Sequence, residues 1–297
     1  GFNNDWDLTA ALVRYLLSRL PRLPSPATAH AGGASLWASL AGLGAGAPPP
    51  ALHGGIPEFA AQLTAGGGGL AAAGRLLANA PNQALAFDQG DPCQANVVQR
   101  MFQELYLGPA LFTRTYGHAP LWHREDGFME RESLIPTSAT LEALARRMPL
   151  AVATGRPRAE AVWALERFGL TPLFQAVITL DDVQAAEALH PGGLPLGKPH
   201  PFSLVEAARQ AGHAFGPCVY VGDTPDDMRA ARRAVAPPFW AVGCTAVAAN
   251  AKEADQALRQ AGADLVVAHP NDLAAVAWGP LASRRSPDSV GRPANQD

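Results

Sequence analysis

The chain reads as an α/β protein: a doubly wound parallel sheet, Rossmann-like in its core, with a helical segment ahead of it. Three observations predict this. From Leu134 onward, short apolar runs alternate with stretches of helical periodicity. The turns between them are short, which favours parallel strands joined by crossover helices. Hydroxyl, basic and acidic residues collect just beyond the apolar runs, at the carboxyl edge where open parallel sheets bind ligands.

The elements follow in order. Asp5 to Leu20 is an amphipathic helix, with Leu8, Leu12, Tyr15, Leu16 and Leu20 on one face and Pro21 as its end. Arg22 to about Gln89 is Ala-, Gly- and Pro-rich, nearly uncharged, and contains Pro48-Pro49-Pro50 and the run Gly66 to Gly69. It reads as a low-complexity insertion, with room at most for short Ala/Leu helices. Asp91-Pro92 suits a helix start. Val98, Met101, Phe102 and Leu105 form its stripe and Gly108 its stop. A connection then runs from Pro109 to about Arg131.

In the second half, Thr140 to Met148 is helical and Pro149 to Ala153 is a buried strand. Pro157 to Phe168 is a helix, Ala176 to Leu180 a strand, Pro201 to Ala211 a helix and Cys218 to Val221 a strand. Pro225 to Val235 is a helix, Phe239 to Val242 a strand, Asn250 to Ala261 a helix and Asp264 to Ala268 a strand. Asn271 to Ala277 is the last helix, and the tail 279–297 reads as disordered. The organisation is therefore 1–131 helical, interrupted by 22–89, then an α/β core over 132–278.

Composition narrows the function. Hydrophobic residues make up 48% of 297, enough for a sizeable core. Charged residues are only 16%, while Gly (29) and Pro (27) are abundant, which fits their concentration in one stretch. A net charge of -3 gives no basic footprint for nucleic acid and no polybasic membrane patch. No apolar run reaches the length of a membrane span. Cys93, Cys218 and Cys244 are widely spaced, form no metal pattern and point to a reducing interior, cytoplasmic or plastid. The chain opens on Gly1 in mid-pattern, so no targeting signal is read.

Three clusters carry chemistry. Thr154-Gly155-Arg156 follows the first strand and offers a hydroxyl, a close backbone approach and a guanidinium at a helix N-terminus. It suits a phosphate cradle, and equally a plain helix entry with Pro157 at the first position. Gly222-Asp223-Thr224-Pro225-Asp226-Asp227 places three carboxylates beyond the third strand, hard oxygen ligands suited to Mg²⁺. A capping box explains Thr224, Pro225 and Asp227 but leaves Asp223 without a structural need. Lys198, in Gly197-Lys198-Pro199-His200-Pro201, could neutralise a phosphate and a carboxylate together, or be an exposed loop lysine.

Taken in order, Thr154, Lys198 and the Gly-Asp-x-x-x-Asp of Asp223 and Asp227 resemble the second, third and fourth motifs of the haloacid dehalogenase (HAD) superfamily. Gly1-Phe2-Asn3-Asn4-Asp5-Trp6, Phe102 to Gly108, Thr154 to Arg158 and Thr179 to Val183 look like its subfamily IA, in the group seen in cyanobacteria and photosynthetic eukaryotes. The match covers the first helix and most of 91–278.

The resemblance implies a Mg²⁺-dependent phosphatase acting on a small phosphorylated metabolite through an aspartyl-phosphate, with residues 1–131 as a helical cap. Thr154, Gly155, Arg156 and Lys198 would bind phosphate. Asp223, Asp227 and Asp226 would serve the metal. Thr154, Lys198 and Asp223 would be the catalytic set, and Asn3, Asn4 and Trp6 cap contacts to substrate. In that family the attacking Asp ends a first, central strand, here expected upstream of Gly1. Asp5-Trp6-Asp7 has the right spacing but continues the helical stripe and caps no strand. Without its central strand the sheet is expected to show two unpaired edges and an open apolar slot, and the chain alone to be poorly folded and inactive. The readings set against this are an inactive phosphate- or sugar-binding relative, another HAD reaction such as a phosphomutase or a metal-free dehalogenase, and a structural interaction module. Oligomeric state is not legible.

Overall fold

The computed structural model describes residues 5–20, 55–213 and 216–278. Two compact units divide the chain, Gly1–Glu132 and Ser133–Asp297.

The first unit is helical. α1 (Asp5–Ser18) buries Ala10, Ala11 and Tyr15. α2 (Ile56–Ala65) and α3 (Gly69–Leu76) follow. Phe59, Leu63, Ala72 and Ala73 from these two helices pack with Ala11 and Tyr15 in one core, and the Tyr15 and Phe59 rings stack at 4.7 Å. Residues 55–89 are thus folded structure and not low-complexity insertion. Small side chains let these helices approach closely, so the composition that signals disorder here supports packing. Residues 22–54, and the tail 279–297, lie outside the described residues.

α4 (Val97–Tyr116) corrects two further expectations. Its cap is Asn96, whose side chain accepts from Gln99 N, and not Asp91. Gly108 does not stop the helix but kinks it, at φ 70°, and Pro109 begins the continuation. A side chain at Gly108 would stand 2.5 Å from Gly127 N, so glycine is required there for both backbone angle and space. Leu105, assigned to the apolar stripe, is exposed, whereas Arg100, Gln103 and Glu104 are buried. Glu104 explains the inversion. Its carboxylate accepts from Arg100 Nε (2.9 Å) and from the main-chain N–H groups of Leu121 and Trp122 (2.8 Å each). A buried charge is tolerable when it is fully partnered in this way.

The second unit is the α/β layer. α5 (Ser138–Ala145) leads into β1 (Leu150–Ala153), α6 (Arg158–Arg167) and β2 (Phe174–Ile178). α7 (Leu180–Ala188) and α8 (Phe202–Gln210) precede β3 (Cys218–Gly222), α9 (Pro225–Arg233), β4 (Phe239–Cys244), α10 (Ala251–Gln260) and β5 (Leu265–Val267). The final segment, Pro270–Ala275, is a 3₁₀-helix. Every strand pair is parallel. The second strand was expected to run to Leu180. Instead it ends at Ile178, because Asp182 accepts from both Thr179 N and Thr179 Oγ1 (2.7 Å each) and starts α7 there.

The sheet is split. β1 pairs with β2, and β3–β4–β5 form a separate set, so β1 and β3 each have one unpaired edge among the described residues. Leu150 to Ala153 of β1 and Cys218 to Val221 of β3 line a cavity of about 670 Å³, with Leu204, Phe239 and other apolar side chains around it. The cavity explains why β1 is only half-buried, contrary to expectation, and why Val221 is exposed. β4 has a neighbour on each side, and its first five residues are buried. Met228, Ala230, Ala231 and Leu258 from α9 and α10 belong to the same core as its Phe239 and Ala241.

Candidate active site

The carboxyl ends of β1 and β3 carry the residues the sequence singled out. Thr154 directly follows β1. Its N–H donates to Ile178 O (2.9 Å), and its Oγ1 accepts from Arg156 N (3.1 Å). The hydroxyl proton is committed to no partner among the described residues. The turn is braced from α7: Arg158 N donates to Asp181 Oδ2 (2.7 Å), the Arg158 guanidinium grips both oxygens of Asp182 (2.6 and 2.7 Å), and Leu180 N donates to Arg156 O (3.0 Å). Burial would raise the Asp182 carboxyl, but the Thr179 and Arg158 contacts outweigh it and hold it below the ordinary aspartate value. Gly155 and Arg156 are exposed on the same turn.

Lys198 reaches the same edge. Its Nζ donates to Asp227 Oδ1 (2.8 Å) and to Tyr220 Oη (2.6 Å), leaving one N–H of three. Tyr220 Oη also lies 3.0 Å from Asp227 Oδ1 and 3.1 Å from Ala153 O, the last carbonyl of β1. Burial pushes the Tyr220 phenol well above its ordinary value, and the Asp227 and Asp223 carboxylates add to this.

Asp227 is a strut. Oδ1 serves Lys198 and Tyr220, while Oδ2 accepts from Thr224 N (3.1 Å) and Thr224 Oγ1 (2.7 Å). Burial by itself would raise this carboxyl; the Lys198 ammonium and the bonds from Lys198 and Thr224 outweigh it and hold it low. Both readings of this motif meet in one residue, since the capping box is present and carries the lysine as well. Asp226 is turned to Arg229 (2.7 Å). Only Asp223, exposed at the strand tip, has no hydrogen-bond or ion-pair partner. The three carboxylates therefore do not converge, and among the described residues no group of three or more His, Cys, Asp or Glu could hold a metal ion. Mg²⁺ is commonly held by one or two carboxylates plus waters and substrate phosphate. Asp223 fits one such position; Asp226 and Asp227 are engaged elsewhere.

In the first unit, Trp6 is half-buried with its ring edge-on to Phe102 at 6.3 Å. Asn3 and Asn4 lie outside the described residues. Asp5 and Asp7 sit in the first turn of α1, as their periodicity indicated, and end no strand. Sequence reasoning missed Tyr220, which looked like one more apolar strand residue, and the bracing role of Asp181 and Asp182. The Thr-x-x-Asp spacing of a capping box was the available signal for Asp182.

A parallel α/β unit with an uncommitted hydroxyl, a half-committed lysine and a free carboxylate at its carboxyl edge defines an anion-handling protein of the doubly wound class. A family model described as haloacid dehalogenase-like hydrolase matches residues 50–234, and the chain belongs to that family. It is 31% identical to phosphoglycolate phosphatase of Escherichia coli over 127 residues, which cover 43% of this chain and 44% of that protein. It is 34% identical to imidazoleglycerol-phosphate dehydratase of Phytophthora nicotianae over 110 residues, 36% of this chain and 22% of that protein. The chain thus spans less than half the length of these curated relatives. The X-ray structure of a Northeast Structural Genomics Consortium target superposes with a TM-score of 0.60 at 22% identity, covering 92% of this chain and 78% of that one, a likeness of fold. Among the described residues no helix is long and apolar enough to cross a membrane.

Proposed function

We propose that this chain carries part of the active site of a Mg²⁺-dependent hydrolase of small phosphate monoesters, working through an aspartyl-phosphate. The observation that carries the reading is the convergence of the Thr154 turn and Lys198 on the carboxyl ends of β1 and β3, on either side of an apolar slot one strand wide. The names of the two relatives, a phosphoglycolate phosphatase and an imidazoleglycerol-phosphate dehydratase, both concern small phosphorylated compounds.

Phosphoryl transfer depends mainly on positioning and electrostatics. The Thr154 hydroxyl and the Gly155 N–H would donate to phosphoryl oxygens, with Arg156 adding positive charge at the rim. The remaining Lys198 N–H would meet the charge that develops on the phosphoryl group. The attacking carboxylate would stand at the end of a strand lying between β1 and β3. Its oxygen forms the bond to phosphorus as the ester P–O bond breaks, and the leaving oxygen takes up a proton. Water then attacks the phosphorus of the aspartyl-phosphate, releasing phosphate and restoring the carboxylate. Asp223 would help hold Mg²⁺, which screens phosphate from carboxylate when bound. Residues 1–131 would act as the helical cap that selects the substrate.

A second reading is a phosphate-binding relative without turnover. It is favoured by the ion pair of Lys198 with Asp227 and by the lack of a free carboxylate beside Thr154 among the described residues. The test is a panel of phosphate monoesters, phosphoglycolate included, offered to the native-length protein with and without Mg²⁺. Thr154→Val and Lys198→Met are assayed in parallel. Mg²⁺-dependent release of phosphate that both substitutions reduce at least tenfold supports the hydrolase. Phosphate binding without release in any condition supports the second reading, and turnover indifferent to both substitutions refutes the site.

A further inference from the structure

Tyr220 is the residue at this edge with no role so far. A lysine ammonium only donates, so in the 2.6 Å contact the Tyr220 oxygen accepts from Lys198. The phenol proton is left for Ala153 O at 3.1 Å or Asp227 Oδ1 at 3.0 Å. Ala153 is the last residue of β1 and Thr154 is its neighbour in the chain. One hydroxyl therefore meets the tip of β1, the lysine loop and the first turn of α9. The Lys198 ammonium also lies 5.2 Å from the centroid of the same ring.

We propose that Tyr220 is a positioning residue: its hydroxyl holds the Lys198 ammonium in register with the Thr154 turn across the slot between β1 and β3. Asp227 alone would leave the lysine anchored to α9 but free to shift against β1. Tyr220 ties it to β1, so that hydroxyl and ammonium keep one separation, the one an oxyanion between them requires. The purpose assigned to this joint rests on the phosphate reading above; its geometry does not.

The chain contains two lysines, Lys198 and the exposed Lys252, so each molecule carries its own control. The experiment is trace acylation of the 297-residue chain with an amine-reactive acetyl ester at fixed pH. Each lysine is read by peptide mass spectrometry, in wild type and in Tyr220→Phe. Phenylalanine keeps the ring under the ammonium and deletes only the hydroxyl. The expected result is that Lys198 reacts more slowly than Lys252 in the wild type. In Y220F Lys198 should then accelerate about tenfold, the scale of one hydrogen bond to a charged group, while Lys252 is unchanged. Two results would overturn the joint: Lys198 as reactive as Lys252 in the wild type, which needs no variant to fold, or an unchanged Lys198 rate in Y220F at an unchanged thermal midpoint. Repeating the labelling with inorganic phosphate adds a readout that mere loosening would not move. If Tyr220 acts by aligning Lys198 with Thr154, phosphate protects Lys198 in the wild type, and Y220F and Thr154→Val weaken that protection non-additively. Additive losses refute the alignment. Absence of phosphate protection in every form refutes the phosphate reading, while the acylation rates still decide the joint.

Discussion

Replacing Asp227 by Asn is the most informative single change in the second unit. The Asp227 side chain is 6% exposed and that of Lys198 20% exposed. Two donors meet each carboxylate oxygen. An asparagine offers one acceptor oxygen and one donor NH₂ in the same space, so one pair of donors is left facing a donor. An unmatched buried donor costs about 1–3 kcal/mol. Removing one partner of a fully buried ion pair costs about 3–5 kcal/mol, which the partial exposure of Lys198 reduces toward the lower end. Together these give a loss of about 3 kcal/mol at pH 7, a large share of the ~5–15 kcal/mol that holds a domain folded. The assay is urea unfolding of wild type and D227N followed by circular dichroism. Because the folded-state carboxyl is held below its ordinary value of 3.8, the wild-type advantage is present above that value. It is lost as pH falls below 3.8 through the lower folded value, where Asp227 becomes neutral in the fold as well. The two stability curves should therefore converge on acidification. A gap under about 1 kcal/mol at pH 7, or one that does not narrow in acid, would refute the assignment of Asp227 as the strut.

Two further predictions follow. In Gly222→Ala, the new Cβ would stand 2.5 Å from Asp227 Cβ and Cγ, so α9 must shift; the expected result is a loss of about 2 kcal/mol in unfolding free energy and release of Lys198 to acylation, and a neutral G222A would show that the approach is looser than described. In Glu104→Gln, a fully buried side chain loses its charge opposite Arg100 and the full acceptance of the Leu121 and Trp122 amides; the first unit should lose about 3 kcal/mol, and those two amides should exchange with deuterium ahead of the rest, whereas unaltered protection would refute the role of Glu104 as the organiser of residues 119–123.

The α/β order of the second half was legible because each strand is a short apolar run punctuated by Gly, Pro or a cap residue. Thr224-Pro225 is such a mark, and α9 begins at Pro225 as read. The helical first unit was legible only in part. Ala72 and Ala73 are among the least exposed residues, yet alanine carries little hydrophobic signal, so a segment that packs through small side chains resembles a linker in composition. Gly108 illustrates a second limit. A glycine in a helical pattern reads as a stop, and only the backbone of Gly127 against it shows a kink that lets the helix run on. At the site, the residue types were legible and their engagements were not. The sequence offers Asp223, Asp226 and Asp227 as equals. Helical geometry alone turns Asp226 toward Arg229 three residues on, and folds Asp227 back on Thr224. Tyr220 was hidden for the same reason, since its ring belongs to an apolar strand and only its hydroxyl joins the edge.

The split sheet constrains what could complete it. A segment between β1 and β3 would pair with two parallel strands at once and so would be extended. Its flanks are the apolar lining of the cavity, so its side chains would be apolar on both faces over the four or five residues that β1 and β3 span. A carboxylate within that span would be buried without a partner, at a cost of several kcal/mol. One placed just beyond the level of Ala153 and Gly222 would instead stand among the Thr154 hydroxyl, the remaining Lys198 N–H and Asp223. Strand length and burial thus leave a reactive acid a single favourable position, at the point where Lys198 and the Thr154 turn are tied together.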